Sequence, residues 1–334
     1  MANERDRRDS SDRAGLGDDS RLVRYDNILD QCGDVEHPTP IVRLNHVLPN
    51  PDVALYVKCE WENPFGSIKD RTAKWLINGL LERGELQGKT LIEATSGNTG
   101  IALAAICSLI GVPMVATAPH VLSPEKTALL RAFGADVRFT SPDECVDKHP
   151  MDAAFQLAER IMAEHPGQYV MPNQYDNPDN ARAHYESTGP EIWKQTQGQI
   201  AYFFAGMGTC GTVVGTGRFL KEQNPDVRII AIEPVPGHHI SGLKNMVETA
   251  VPGNLDRSVL DEIVYVDDEM TDETARRLYR EEALQVGPSA AAIAAGAIKW
   301  LNEPSRSGIA VSIAPDSGQK ATGYLNQILG QDEG

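Results

Sequence analysis

A lysine at the junction of a predicted turn and a predicted helix is the most promising chemical group in this 334-residue sequence. Residues 63–71 read Asn-Pro-Phe-Gly-Ser-Ile-Lys-Asp-Arg; the first four favour a turn, and Ser67 is a favourable N-cap for a helix through Trp75 and Ile77. The helix dipole disfavours an ammonium in the first turn, so the pKa of Lys69 should fall. A neutral amine suits Schiff-base chemistry. The alternative interpretation is that Lys69 is an ordinary solvated surface lysine.

A second segment with functional potential, Thr95-Ser96-Gly97-Asn98-Thr99-Gly100, follows a predicted strand that ends at Glu93. Glycines and small polar side chains at a helix start expose several backbone N–H donors, which suit a carboxylate or a phosphate. A capped helix that binds no ligand is the alternative interpretation of the same residues.

A glycine-rich segment, Gly206-Met207-Gly208-Thr209-Cys210-Gly211-Thr212, follows the next long apolar strand. It satisfies G-x-G-x-x-G, and Glu233 ends the following strand at the spacing of a ribose-binding acid, so a nucleotide-dependent dehydrogenase is one hypothesis. No conventional substrate domain with a catalytic His or Tyr precedes it. Its two threonines also suit a compact phosphate-binding loop.

Two further segments lie at predicted strand ends near the C-terminus. Gly287-Pro288-Ser289 opens an alanine-rich helix, and Ser289 is either its N-cap or a ligand contact. Residues 315–320, Pro-Asp-Ser-Gly-Gln-Lys, follow the last predicted strand. In open α/β sheets the carboxyl ends of parallel strands share one edge, so we expect all of these segments to face one cleft.

The elements that must position these residues alternate along the chain. Strands are predicted at residues 39–44, 54–58, 90–93, 114–118, 137–140, 169–171, 200–205, 227–233, 263–266 and 308–314. Besides the helix of Lys69, helices are predicted at residues 22–29, 101–109, 124–133, 151–163, 181–196, 212–222, 272–282 and 290–301. This alternation predicts an α/β fold with two domains, each an open, mostly parallel sheet flanked by helices.

The predicted domains divide the chain unevenly. A smaller domain spans residues 62–175, and a larger one combines 21–61 with 176–330, with the active cleft between them. Residues 1–20 are almost entirely charged or small, which predicts a disordered charged tail.

Composition narrows the class of protein. A formal charge of -16 argues against nucleic acid and against an anionic membrane as the main partner. The five cysteines form no C-x-x-C pair, so neither a disulfide framework nor a metal site is indicated, and a reducing cytoplasm fits. No apolar run has the length of a membrane-spanning helix.

The motifs together resemble the cysteine synthase and cystathionine β-synthase family of pyridoxal 5'-phosphate enzymes, of fold type II. They are N-P-x-G-S-x-K-D-R, T-S-G-N-T-G, G-x-G-T-x-G-T, and G-x-S followed by P-D-S-G, and the resemblance spans about residues 39–323. It implies an O-acetylserine or O-phosphoserine sulfhydrylase, which replaces the β-substituent of an activated serine with sulfide through an aminoacrylate intermediate and yields L-cysteine. The reaction of serine with homocysteine stays an alternative, and the intact Lys69 argues against a non-catalytic relative.

The resemblance also implies the role of each site residue. Lys69 is the catalytic residue and forms the internal Schiff base, Asn98 contacts the phenolic oxygen of the cofactor, and Ser289 meets its pyridine nitrogen. The cofactor phosphate is held by Gly208, Thr209, Cys210, Gly211 and Thr212. The substrate is bound in the smaller, mobile domain by Thr95, Ser96, Gly97, Thr99 and Gln174. Cys210 and Ala291 depart from the commonest family pattern.

The loop at residues 236–246 is expected to distinguish between donors. If Lys244 binds a phosphate, O-phosphoserine is the donor; if the loop is only solvated, O-acetylserine is the default. The partners implied are a small amino acid and sulfide or a thiol, and the family resemblance implies a homodimer.

Overall fold

The computed structural model describes residues 24–95, 97–145 and 150–330, and the structural statements below concern these residues. The predicted charged tail at residues 1–20 lies outside them. Ten strands form two sheets. Their bounds are β1 Ile41–Arg43, β2 Val53–Cys59, β3 Thr90–Ala94, β4 Met114–Ala118, β5 Asp136–Phe139, β6 Tyr169–Val170, β7 Ile200–Gly206, β8 Arg228–Pro234, β9 Glu262–Val266 and β10 Gly308–Ala314.

Both sheets are mostly parallel, as predicted. The six-stranded sheet has the order β1-β2-β10-β7-β8-β9, and β1 is its single antiparallel strand. The four-stranded sheet has the order β5-β4-β3-β6 and is parallel throughout. The larger sheet draws its strands from residues 41–59 and 200–314, and the smaller one from residues 90–170. The domain boundaries and the mobility of the smaller domain stay predictions.

The α-helices cover both faces of each sheet. They are α1 Lys69–Glu82, α2 Asn98–Ile110, α3 Pro124–Ala132, α4 Pro150–Glu164, α5 Asp179–Ala183, α6 Gly189–Gln195, α7 Gly211–Gln223, α8 Asp268–Glu281, α9 Pro288–Leu301 and α10 Thr322–Gly330. Within the described residues, none of these helices is long and apolar enough to span a membrane.

Two helix predictions were wrong in detail. The helix predicted at residues 22–29 is absent from 24–27, because Asn27 instead caps a single 3-10 turn at Ile28–Gln31. The continuous helix predicted at 181–196 is interrupted by a π-helical segment, His184–Thr188, between α5 and α6.

Apolar packing fixes the edges on which the site is built. In the larger sheet, α8 and α9 bury Leu278 and Ile293 against one face, and α7 buries Leu220 against the other. In the smaller sheet, α1 and α2 cover one face, and Ile161 of α4 packs on Ile92 at the other. Burial of such side chains contributes roughly 1.5–3 kcal/mol each.

Candidate active site

A cavity of about 1350 Å³ is lined by residues from the strand ends of both sheets. Most of the predicted site residues line it, namely Lys69, Thr95, Gly97, Asn98, Thr99, Gln174, Gly208, Thr209, Cys210, Thr212, Lys244 and Ser289. Gly211 does not line it, and a Cβ at Gly211 would lie 2.2 Å from Asn180 Oδ1. Ser96 lies outside the described residues.

Lys69 is the first residue of α1, and its side chain reaches the cavity. The helix begins two residues after Ser67, but the Ser67 hydroxyl still accepts the Lys69 N–H at 3.2 Å. Within the described part of the chain, the Lys69 ammonium makes no hydrogen bond or ion pair. Burial lowers the pKa of Lys69 to about 8, against the opposing influence of Cys210 and Asp316. Burial therefore accounts for a nucleophilic amine.

A buried cluster of four charges anchors α1 to the larger sheet. Arg71 contacts Glu60 at 2.6 Å and donates to Glu191 Oε2 at 2.9 Å, and Lys58 of β2 lies 2.8 Å from Glu191. Burial alone would raise the pKa of Glu60, but Arg71 and Lys58 lower it to about 2. Two cations balance two carboxylates, so the cluster is neutral and holds the helix two residues beyond Lys69.

The glycine-rich loop has the geometry of an anion cradle. Cys210 adopts a left-handed conformation with φ of 64° directly before α7, which turns successive backbone N–H groups toward one point. The first N–H groups of α7 have no partner within the helix. A Cβ at Gly208 would lie 2.9 Å from the carbonyl oxygen of Gly242, so this close approach requires glycine. These donors fit a phosphate group.

Two neutral side chains contact the threonine hydroxyls of the cradle. Asn180 donates to the Thr209 hydroxyl at 2.9 Å, and His184 Nε2 lies 3.1 Å from the Thr212 hydroxyl. Burial, with Lys69 and Arg71 nearby, lowers the pKa of His184 to about 3, so its ring is uncharged. His184 was not among the predicted site residues. The sequence feature that could have pointed to it is a histidine in the helical region that follows Gln174.

Cys210 contributes no charge to the cradle. Its side chain is 2% exposed, and burial raises the pKa of its thiol to about 12. The thiol is therefore neutral at physiological pH, and it contacts the core rather than solvent.

The residues predicted to bind a carboxylate lie close together at the start of α2. The Thr95 hydroxyl accepts the N–H groups of Gly97 and Gly100 at 3.3 and 3.0 Å. Thr99 donates to Gln174 Oε1 at 2.8 Å, which brings the two separated segments together. The N-terminus of α2 suits a carboxylate.

Ser289 and Lys244 occupy the wall formed by the larger sheet. Ser289 lies in the first turn of α9 and is buried, with its hydroxyl oxygen 3.5 Å from where a Cβ of Gly242 would lie. The Lys244 ammonium lies 4.1 Å from the centroid of the Tyr175 ring, and burial lowers the pKa of Lys244. Lys244 thus packs on an aromatic ring.

The dehydrogenase hypothesis requires an acidic residue that can bind a ribose, and Glu233 is not available for this role. Glu233 is buried, and its carboxylate accepts the N–H of Met246 at 2.8 Å. It is therefore committed to the protein and is not offered to a ribose. In the described ranges, no group of His, Cys, Asp and Glu is arranged to hold a metal ion.

The sequence and the structure are both similar to known proteins. The profile of a family described as "Pyridoxal-phosphate dependent enzyme" matches residues 33–316. Cysteine synthase of Aquifex aeolicus is 40% identical over 88% of this chain and 90% of its own length. Cysteine synthase B of Pseudomonas aeruginosa is 38% identical over 89% and 96%. The crystal structure of O-acetyl serine sulfhydrylase isoform 3 from Entamoeba histolytica superposes with a TM-score of 0.82 at 29% identity, covering 92% of this chain and 97% of that one.

Proposed function

This chain belongs to the pyridoxal-phosphate-dependent enzyme family, and from that premise we propose that it replaces the β-substituent of an activated serine with sulfide to form L-cysteine. One observation carries the proposal. Lys69, which has a lowered pKa and makes no ion pair within the described residues, lines one cavity together with a glycine-rich loop suited to a phosphate and a helix start suited to a carboxylate.

The residues present fit pyridoxal phosphate. The cradle of Gly208, Thr209, Cys210, Gly211 and Thr212 would hold the phosphate, Lys69 would bind the cofactor covalently, Asn98 would face its phenolic oxygen, and Ser289 its ring nitrogen. When bound, the cofactor supplies an electron sink, and a neutral serine partner weakens that sink and favours β-elimination over transamination.

The side chains around the cofactor site would act on the substrate. Thr95, Gly97, Thr99 and Gln174, together with Ser96, would bind the substrate carboxylate and fix the α-carbon beside Lys69. The neutral Lys69 amine would then accept the α-proton as general base, a role for which a pKa of about 8 is suitable. Movement of the smaller domain toward the larger one would exclude water from the reacting atoms.

Lys244 addresses the choice of donor. It lines the cavity, is partly buried, and makes no ion pair within the described part of the chain. Asp152 acts on this cation only through its charge and not through an ion-pair contact, and a partly desolvated cation of this kind favours an anionic leaving group, so O-phosphoserine is proposed beside O-acetylserine.

Steady-state kinetics with both donors test this role. We expect Lys244→Ala to raise the KM for O-phosphoserine about 10-fold, because a charged contact is worth roughly 1.5–3 kcal/mol, and to leave the KM for O-acetylserine nearly unchanged. Lys299→Ala, an exposed change on α9, is the matched control. Equal effects of Lys244→Ala on both donors would remove the donor assignment.

We also propose a homodimer in a reducing cytoplasm. The four described free cysteines, Cys32, Cys59, Cys107 and Cys210, are buried thiols, which suits a reducing compartment. A monomeric mass by light scattering would contradict the homodimer.

A further inference from the structure

The loop after β10 contacts three separate parts of the cavity wall. The carbonyl oxygen of Pro315 accepts the Ile68 N–H at 2.9 Å, and the carbonyl oxygen of Asp316 accepts the Gly287 N–H at 3.2 Å. The Asp316 carboxylate accepts Asn98 Nδ2 at 2.7 Å. This loop therefore joins the starts of α1, α2 and α9, the three helices that carry the residues expected to meet the cofactor ring.

The Asn98 amide is held at both ends by opposite charges. Its Nδ2 donates to Asp316 Oδ2, and its Oδ1 accepts from Lys320 Nζ at 3.4 Å. In the reversed amide, NH₂ would face an ammonium and the carbonyl oxygen would face a carboxylate, so both contacts would be repulsive. One orientation is therefore selected, and it leaves the second Nδ2 hydrogen available to a ligand in the cavity.

Both charges are themselves fixed. Lys320 also donates to the carbonyl oxygen of Phe65 and is faced by Asp70. Asp316 is faced by three lysines of the cavity, Lys69, Lys126 and Lys320. Burial raises the pKa of Asp316 and lowers that of Lys320, while each charge favours the ionised form of the other.

The second carboxylate oxygen of Asp316, Oδ1, lies in an unusual environment. Oδ1 is buried and has no hydrogen-bond partner among the described residues, and a Cβ at Gly287 would lie 2.2 Å from it. A buried acceptor without a donor is costly, and such groups call for a functional explanation.

We propose that Asp316 and Lys320 are positioning residues that orient the Asn98 amide, so that its Nδ2 rather than its Oδ1 faces the cofactor oxygen. The inference rests on the proposed function, because it gives Asn98 a task only in an enzyme that binds the cofactor in this cavity. Of these three residues, only Asn98 would touch the cofactor; the two charged residues would act through it.

Two variants of the holoenzyme distinguish a positioning role from a direct electrostatic effect of the two charges on the cofactor. Asp316→Asn keeps the size and shape of the side chain but can itself rotate, and Lys320→Met keeps the length of the stem without a donor. The readouts are the pH midpoint of the visible absorbance of the bound cofactor and the dissociation constant of the cofactor. The control is Asp136→Asn, an exposed carboxylate paired with Arg138 on β5.

Positioning predicts shifts of the same sign. Either variant frees the amide, so the cofactor oxygen loses a donor, the midpoint rises by roughly one pH unit, and cofactor binding weakens about 10-fold. Loss of charge alone would lower the midpoint in Asp316→Asn and raise it in Lys320→Met. Opposite shifts, or no shift beyond that of the control, would overturn the proposal. A wild-type protein without cofactor absorbance would instead contradict the proposed function.

Discussion

At the scale of single residues, Lys69 is the side chain on which the proposed chemistry depends. Burial lowers the pKa of its amine to about 8, and among the described residues no carboxylate is in ion-pair contact with it. The local motif predicted a lowered pKa from the helix dipole, whereas burial by the fold is the main cause of the lowered pKa. Burial is produced by parts of the chain distant in sequence that line the same cavity, such as residues 205–212, and a nine-residue segment does not contain it.

Labelling of the apoprotein tests the lowered pKa of Lys69. Only the unprotonated amine reacts with an amine-directed reagent, so the labelled fraction of Lys69 should rise with pH around a midpoint of about 8. Mass spectrometry of the peptide that carries Lys69 measures this profile. A midpoint near the ordinary value of 10.5 would show that burial does not activate the amine.

Other residues of the site could not be predicted from local sequence. Asn98 and Asp316 are 218 positions apart, and Arg71 and Glu191 are 120 apart, yet both pairs are in direct contact. The sequence placed residues 315–320 at the correct sheet edge because a strand ends there. It assigned them no role, since hydrogen-bond partners are set by tertiary packing.

At the scale of elements, the π-helical segment His184–Thr188 places the His184 ring beside the glycine-rich loop. His184, the first residue of this segment, contacts the Thr188 hydroxyl at 2.9 Å and the Thr212 hydroxyl at 3.1 Å. Apolar periodicity predicted a helix here but averages over several turns, so one inserted residue leaves no signal. By contrast, the bounds of β4 and β10 agree with the prediction, because apolar runs bounded by turn residues define strands sharply.

The neutral His184 makes a prediction about stability. Its pKa is about 3 in the folded state and ordinarily 6.5, so between these values the unfolded chain binds a proton that the folded chain does not. Stability from this residue is therefore lost as pH falls below 6.5, by up to about 2 kcal/mol at pH 5.

Urea unfolding at pH 7 and pH 5 measures the effect. His184→Gln should show a smaller loss of unfolding free energy between the two pH values than the wild type. His165→Gln, an exposed position after α4, is the control and should keep the wild-type dependence. An unchanged pH dependence in His184→Gln would mean that the buried ring is not the cause.

At the scale of the whole molecule, the overall charge conceals the character of the cavity. The chain has 47 acidic and 31 basic residues, whereas four lysines (Lys69, Lys126, Lys244 and Lys320) outnumber the three acidic residues (Glu125, Glu248 and Asp316) that line the cavity. The composition argued against nucleic acid and an anionic membrane as the main partner and was silent on a small anionic ligand. The alternation of strands and helices predicted two mostly parallel sheets, because it reflects burial on both faces.

The central claim is that Lys69 binds the cofactor and performs the proton transfer for cysteine formation. The direct measurement combines visible absorbance of the purified, cofactor-supplied protein with L-cysteine formation from O-acetylserine or O-phosphoserine and sulfide. Lys69→Ala is compared with Lys74→Ala, a lysine on the same helix whose ammonium instead donates to the carbonyl oxygen of Leu29.

We expect the wild type and Lys74→Ala to absorb in the visible range and to form cysteine. Lys69→Ala should lose the absorbance of the lysine-bound cofactor, and its rate of cysteine formation should fall about 10³-fold or more. Wild-type protein that stays colourless and forms no cysteine, or Lys69→Ala that keeps both the absorbance and the rate, would contradict the account.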